Sequence, residues 1–150
     1  MPPTRYPHAE IIQNIIDQLI GQVDRKQVGL LGSNLGLLIG REPLTCRSPD
    51  LILFWRNRMI IQDGLYCSAP ELVVEILSPS ENRQRKEEKL TDYASIGVPE
   101  VWLCSAEAQS VEIRRLNQGK LERTSIVVDG TIQPFNFPGV SIQVTEIWPV

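Results

Sequence analysis

Apolar residues at the start of the chain follow two different periods. From residue 8 or 9 they recur every three or four positions, which predicts a helix with one buried face; they are Ile11, Ile12, Ile15, Ile16, Leu19 and Ile20. Gly21 is expected to end this helix. Two short apolar segments follow, residues 28–31 and 35–39, and Gly32-Ser33-Asn34 between them predicts a hairpin.

The middle of the chain predicts two buried strands and a second helix. Residues 50–54 are apolar after the first position, and residues 72–77 are apolar except at Glu75, as in strands covered on both faces. Residues 41–49 predict a loop with two prolines, and residues 56–70 an irregular stretch with a short strand at 59–61. Ser78-Pro79-Ser80 supplies capping hydroxyls and a first-turn proline, so a helix is predicted from there to about Ile96, before Gly97.

The remaining segments are again typical of strands. Residues 101–104 are apolar, residues 111–116 and 121–128 alternate around a hairpin turn at Asn117-Gln118-Gly119, and residues 135–149 form a tail with a period-two stretch. This order predicts an α/β (α+β) fold with a mixed central sheet flanked by helices. Residues 72–104 should form a strand–helix–strand crossover between parallel strands. The length of 150 residues predicts a single domain, 1–150.

Composition excludes several classes of protein. The net charge of -3 argues against a protein that coats polyanions nonspecifically, although it allows a local basic patch in a nucleic-acid cleft. Three cysteines without CxxC spacing argue against a disulfide scaffold or a zinc finger and favour a cytoplasmic location. No apolar run approaches the length of a membrane span, so no membrane partner is expected.

Two carboxylates in the buried strands are the first candidates for chemistry. An ionised Glu75 inside such a strand is costly unless a positive or hydrogen-bonding group meets it. Asp50 follows Pro49 and opens the other buried strand. Two carboxylates suit a hard divalent cation, Mg²⁺ or Mn²⁺, and the backbone carbonyl of Ile76 is a candidate third ligand.

The second helix adds a candidate amine. Lys89 lies at the edge of the helix face that carries Tyr93, with Lys86 as its rival at the same edge and Tyr93 as an additional candidate. A metal would activate water, and a lysine would stabilise the charge that develops during phosphodiester hydrolysis.

Each candidate also has a structural alternative. Asp50 could cap a turn before its strand, Glu75 could pair with an arginine or with Lys89, and Lys89 could lie on a solvated helix face. His8, the only histidine, is expected to begin the first helix rather than to take part in catalysis.

Several motifs together resemble one protein family. They are Pro49-Asp50, LVVEILSPS at 72–80, KLTDYA at 89–94, GVPEVW at 97–102, PHAE at 7–10 and FPGV at 137–140. With these motifs the chain resembles the Uma-two (Uma2) family of proposed restriction endonucleases in the PD-(D/E)XK nuclease superfamily.

The resemblance implies a restriction-endonuclease-like fold, Asp50 and Glu75 as metal ligands, and DNA as substrate. The superfamily pattern places a lysine two residues after the glutamate, where this chain has Leu77, and Lys89 matches a helical position used instead. The resemblance also makes Glu10 a candidate for the additional helix carboxylate that some superfamily members use. The expected function is a metal-dependent DNA endonuclease, most simply a homodimer if it cuts both strands. The alternative is a catalytically inactive nuclease fold that acts as a binding or dimeric assembly module.

Overall fold

The computed structural model describes residues 6–32 and 35–150. The helices are α1 (His8–Ile20) and α2 (Arg83–Ser95). The strands are β1 (Val28–Gly32), β2 (Leu37–Arg41), β3 (Leu44–Arg47), β4 (Leu51–Trp55), β5 (Ile61–Gln62), β6 (Leu65–Tyr66), β7 (Leu72–Leu77), β8 (Glu100–Ser105), β9 (Ser110–Asn117), β10 (Lys120–Val127), β11 (Thr131–Ile132) and β12 (Ile142–Gln143). Within these residues, no helix is long and apolar enough to cross a membrane.

A six-stranded sheet with the order β1-β4-β7-β8-β9-β10 forms the centre of the molecule. Its neighbouring strands are antiparallel except β7 and β8, which are parallel and connected through α2. The predicted mixed sheet with flanking helices and the parallel crossover are therefore confirmed.

Both faces of the central strands are buried, as the continuous apolar runs predict. Leu51, Leu53, Leu72 and Val74 pack on one face with the buried side of α1 and with the C-terminal tail. Alternate residues of the same strands pack on the other face with α2 and the second sheet. Because side chains alternate along a strand, Glu75 lies on the α2 face.

The predicted hairpin between the first two strands is wrong. β1 pairs with β4 over five residues, whereas β2 belongs to a separate four-stranded sheet, β3-β2-β6-β5. Ser33 and Asn34 of the predicted turn lie outside the described residues. Turn residues show where a chain can reverse but not which strand it pairs with. Pairing with β4 places β1 beside a buried apolar strand, and burial of apolar surface favours this arrangement.

Three boundaries also differ from the prediction. Residues 41–49 were predicted to form a loop because they contain two prolines, but they include the short edge strand β3. α2 begins at Arg83 rather than at Ser78-Pro79-Ser80, since the side chain of Asn82 accepts a hydrogen bond from the Arg85 N–H at 2.8 Å. In the tail, only Ile142–Gln143 forms a strand, paired with β11.

The β9–β10 hairpin is confirmed. Gln118 and Gly119 connect the strands with φ angles of 50° and 79°, the left-handed pair that favours a two-residue turn.

We predict that Gly29→Ala destabilises the fold through the β1–β4 pair. A methyl group at residue 29 would lie 2.1 Å from Cζ of the buried Phe54 ring, so the ring or the strand must move. The free energy of unfolding should fall by about 1–3 kcal/mol in urea titrations. Gly21→Ala is the matched control, because nothing lies within 4 Å of the added methyl group. Equal stability of the two variants would contradict this view of the β1–β4 contact.

Candidate active site

Asp50 and Glu75 are brought together by the register of β4 and β7. Leu51 pairs with Val74 in this antiparallel ladder, so Asp50, one residue before β4, lies opposite Glu75. Side chains at opposite positions of an antiparallel pair share one face, with Cβ atoms about 5 Å apart. The two acids therefore meet at the start of β4, and within the described part of the chain neither forms an ion pair with an arginine.

The side chain of Asp50 extends the β4–β7 ladder by one position, just before β4 begins. Its Oδ2 accepts a hydrogen bond from the Ile76 N–H at 2.8 Å, in place of a backbone carbonyl of β4. The N–H and C=O of one residue in a strand point to the same side. The Ile76 carbonyl therefore faces the same gap beside Asp50.

Glu75 is only 4% exposed and is hydrogen-bonded to α2. The Tyr93 hydroxyl donates to its Oε1. Burial and the adjacent Asp50 charge raise the pKa of Glu75 to about 8, although Lys89 and the Tyr93 hydrogen bond act in the opposite direction. Burial and the Glu75 carboxylate also raise the pKa of Tyr93, so the hydroxyl remains a donor.

Lys89 reaches the acids from α2. Its Nζ lies 3.8 Å from Oε2 of Glu75 and 2.8 Å from Oε1 of Glu81. Burial lowers the pKa of Lys89, but Glu75 and Glu81 outweigh it and the pKa is raised, so the ammonium is retained. Lys86 instead lies 3.7 Å from Oε1 of Glu112 on β9, away from the acid pair.

Two residues at the site were missed by the sequence analysis. Glu81, in the turn before α2, has a side chain that is 8% exposed and holds Lys89. His8 does begin α1, but its Nε2 also lies 3.0 Å from Oδ1 of Asp50, in a buried position and without the alignment of a hydrogen bond. Forty-two residues separate His8 from Asp50 in the sequence, and no local pattern connects them.

Glu10 does not join the acid pair in the contacts of the described residues. It lies beside the exposed Tyr6, where its hydrogen bond and its charge raise the pKa of the Tyr6 hydroxyl.

The donor set at this site fits a hard divalent cation. Among residues 6–32 and 35–150, no three His, Cys, Asp or Glu side chains form a metal-binding group. The available ligands are two carboxylates and one backbone carbonyl, and oxygen donors of this kind suit Mg²⁺ or Mn²⁺ with water in the remaining positions. The raised pKa of Glu75 reflects its own burial and the neighbouring Asp50 charge, and a bound cation would favour the ionised forms of both acids.

We predict that Glu75 makes the stability of the metal-free protein depend on pH. Between its ordinary pKa of 4.5 and the folded value of about 8, the folded protein retains a proton that the unfolded chain has lost. The contribution of Glu75 to the free energy of unfolding should therefore fall as pH rises through this window, by on the order of a few kcal/mol. Urea titrations in EDTA should show this slope in the wild type and a smaller one in Glu75→Gln. Parallel pH profiles would contradict the prediction.

Comparisons with known proteins bear on the same residues. The family model described as "Putative restriction endonuclease", Uma2, matches residues 1–145. Among the solved structures that match is a protein described as "a putative nuclease belonging to DUF820" from Anabaena variabilis ATCC 29413. It superposes with a TM-score of 0.80 at 17% identity, covering 98% of this chain and 83% of that one, so the likeness is one of fold. No curated protein matches the chain significantly.

The family match covers nearly the whole chain, including Asp50, Glu75 and Lys89, which the fold places together. The chain therefore belongs to the Uma2 family, described as "Putative restriction endonuclease".

Proposed function

We propose that this protein is a metal-dependent endonuclease that hydrolyses phosphodiester bonds in DNA. The observation that carries the proposal is the meeting of Asp50 and Glu75 at a buried strand end, with the Lys89 ammonium 3.8 Å from Glu75. The family match supports the same class of activity.

Asp50, Glu75 and the Ile76 carbonyl would hold the cation, Mg²⁺ or Mn²⁺. When bound, such an ion polarises a phosphoryl oxygen and lowers the pKa of a coordinated water. The Ile76 N–H orients Asp50, and the Tyr93 hydroxyl orients Glu75. Lys89 then stabilises negative charge on the phosphate in a partly buried place, where such interactions are stronger than in water.

The proposal includes two features of the molecule as a whole. Cleavage of both DNA strands by one small domain needs two sites, which a two-fold homodimer supplies most simply. A cytoplasmic location agrees with the three free cysteines.

A second candidate is a nuclease fold that serves as a noncatalytic binding or assembly module. One observation favours it: the Lys89 ammonium lies 1.0 Å closer to Glu81 than to Glu75, by the two distances of 2.8 Å and 3.8 Å. An amine held in this way would be unavailable to a substrate, so the two candidates differ in activity and in metal binding.

The first test is cleavage of plasmid DNA in Mg²⁺ or Mn²⁺. We expect Asp50→Asn and Glu75→Gln to lose at least about 100-fold in rate, because each removes a charge from the cation site. Lys89→Ala should lose roughly 10- to 1000-fold, the range for one charge-stabilising group. Asp17→Asn, which changes an exposed carboxylate on α1, should cleave like the wild type. Equal cleavage by the wild type and both acid variants would place the activity elsewhere.

The second test is metal binding measured by calorimetry and by the melting temperature. Mn²⁺ or Mg²⁺ should stabilise the wild type and not Asp50→Asn, because a ligand that binds only the folded state raises its stability. Since the ion needs an ionised Glu75, affinity should rise up to about tenfold per pH unit until the pH reaches about 8. Absence of binding heat and of any thermal shift in the wild type would favour the assembly module.

A further inference from the structure

Two open clefts border the first half of α2. The first has a volume of about 570 Å³ and lies between the start of α2 and the β9–β10 hairpin. Its charged lining consists of Arg83, Lys86, Arg114 and Arg123 with Glu81 and Glu87.

The second cleft, of about 380 Å³, lies on another side of the same helix. Arg47, Arg85 and Lys89 line it, together with Glu81 and Glu88. Glu81 is common to both clefts, so the two meet at the turn before α2. Lys89 connects the second cleft to Glu75 of the acid pair.

Positive charge is concentrated in these clefts. Seven of the fifteen Lys and Arg residues line them, against three of the eighteen Asp and Glu residues. The chain as a whole carries a net charge of -3, so the remainder of the protein is more acidic still. A basic groove on an acidic protein is the electrostatic footprint of a polyanion site.

Three of the lining arginines are available to a ligand. Four of the seven basic side chains are engaged with acids of the protein itself; they are Arg47, Lys86, Lys89 and Arg114. The other side chains are exposed and form no ion pair within residues 6–32 and 35–150; they are Arg83, Arg85 and Arg123. The positive end of the α2 dipole lies at the same place and adds to their attraction for an anion.

We propose that the two clefts bind the sugar–phosphate backbone of a nucleic acid. The strand would cross the start of α2, and its path through the second cleft would bring a phosphate to Lys89, Glu75 and Asp50. This path to the acids rests on the proposed nuclease function, whereas binding in the clefts needs neither metal nor cleavage. Arg83, Arg85 and Arg123 are thus assigned as backbone-binding residues.

Fluorescence anisotropy of labelled 20-base-pair duplexes in EDTA tests the assignment without cleavage. The double variant Arg83→Ala/Arg123→Ala should raise Kd by about 10-fold or more at low salt. It should also reduce the slope of log K against log salt by about two, because each lost phosphate contact removes about one unit. The experiment is run in parallel with duplex DNA and duplex RNA of the same sequence. Weaker binding of either duplex by the double variant supports backbone binding.

The matched control is Arg25→Ala/Lys26→Ala, which removes the same amount of positive charge. These residues lie near the end of β4 that is far from Asp50, because the Arg25 carbonyl accepts a hydrogen bond from Arg56, which follows β4. This control should change Kd less than about threefold. Equal effects of the two double variants would overturn the proposal, as would failure of the wild type to bind either duplex. If the wild type cleaves DNA but binding does not depend on the arginines, the nuclease function stands and the backbone-binding assignment is rejected. If binding depends on the arginines but no cleavage occurs, the backbone-binding assignment stands and the nuclease function is rejected.

Discussion

The strongest constraint in this protein is the placement of two carboxylates side by side, one buried, on Glu75, and one half-buried, on Asp50. The register of β4 and β7 fixes this placement, since Glu75 belongs to β7 and Asp50 directly precedes β4, and both strands are covered on both faces. Their repulsion and burial are visible in the raised pKa of Glu75. The groups around them oppose this cost: the Ile76 N–H, the Tyr93 hydroxyl and the Lys89 ammonium all point to a carboxylate oxygen.

Three glutamates are buried in the described part of the chain, and their surroundings differ in kind. Glu71 accepts from the Trp55 N–H at 2.9 Å and lies 3.4 Å from Arg58. Glu100 accepts from the Phe135 N–H, the Trp102 indole and Arg115. Both therefore act as acceptors that fix strand ends and loops. Glu75 differs from them because it faces the carboxylate of Asp50, and the proposed cation site rests on this difference.

The pattern of apolar and polar positions predicted much of this fold, because buried strands and helix faces require apolar residues at regular spacing. The continuous apolar runs predicted β4, β7 and β8, and the acid that interrupts β7 indicated the site. The pairing of β1 was mispredicted, and β3 was missed, because periodicity reports how buried a strand is but not which strand it joins. His8 and Glu81 were missed for a related reason. Each approaches the site through tertiary packing, and each belongs to a segment whose local sequence favours only a helix start or a turn.

The position of the amine follows from the geometry of the sheet. The superfamily pattern that the chain resembles places its lysine two residues after the glutamate, and residues two apart on a strand share a face. Leu77 occupies that position here and packs with the α2 side of the core. Since α2 covers this face of the sheet, a lysine on the helix reaches the Glu75 carboxylate from the helix layer, whereas a lysine at residue 77 would reach it along the strand. An ammonium acts through its distance to the charge, and Lys89 lies 3.8 Å from Glu75, so a lysine on the helix can supply positive charge to this carboxylate. Leu77 meanwhile makes apolar contacts that a lysine head group could not make.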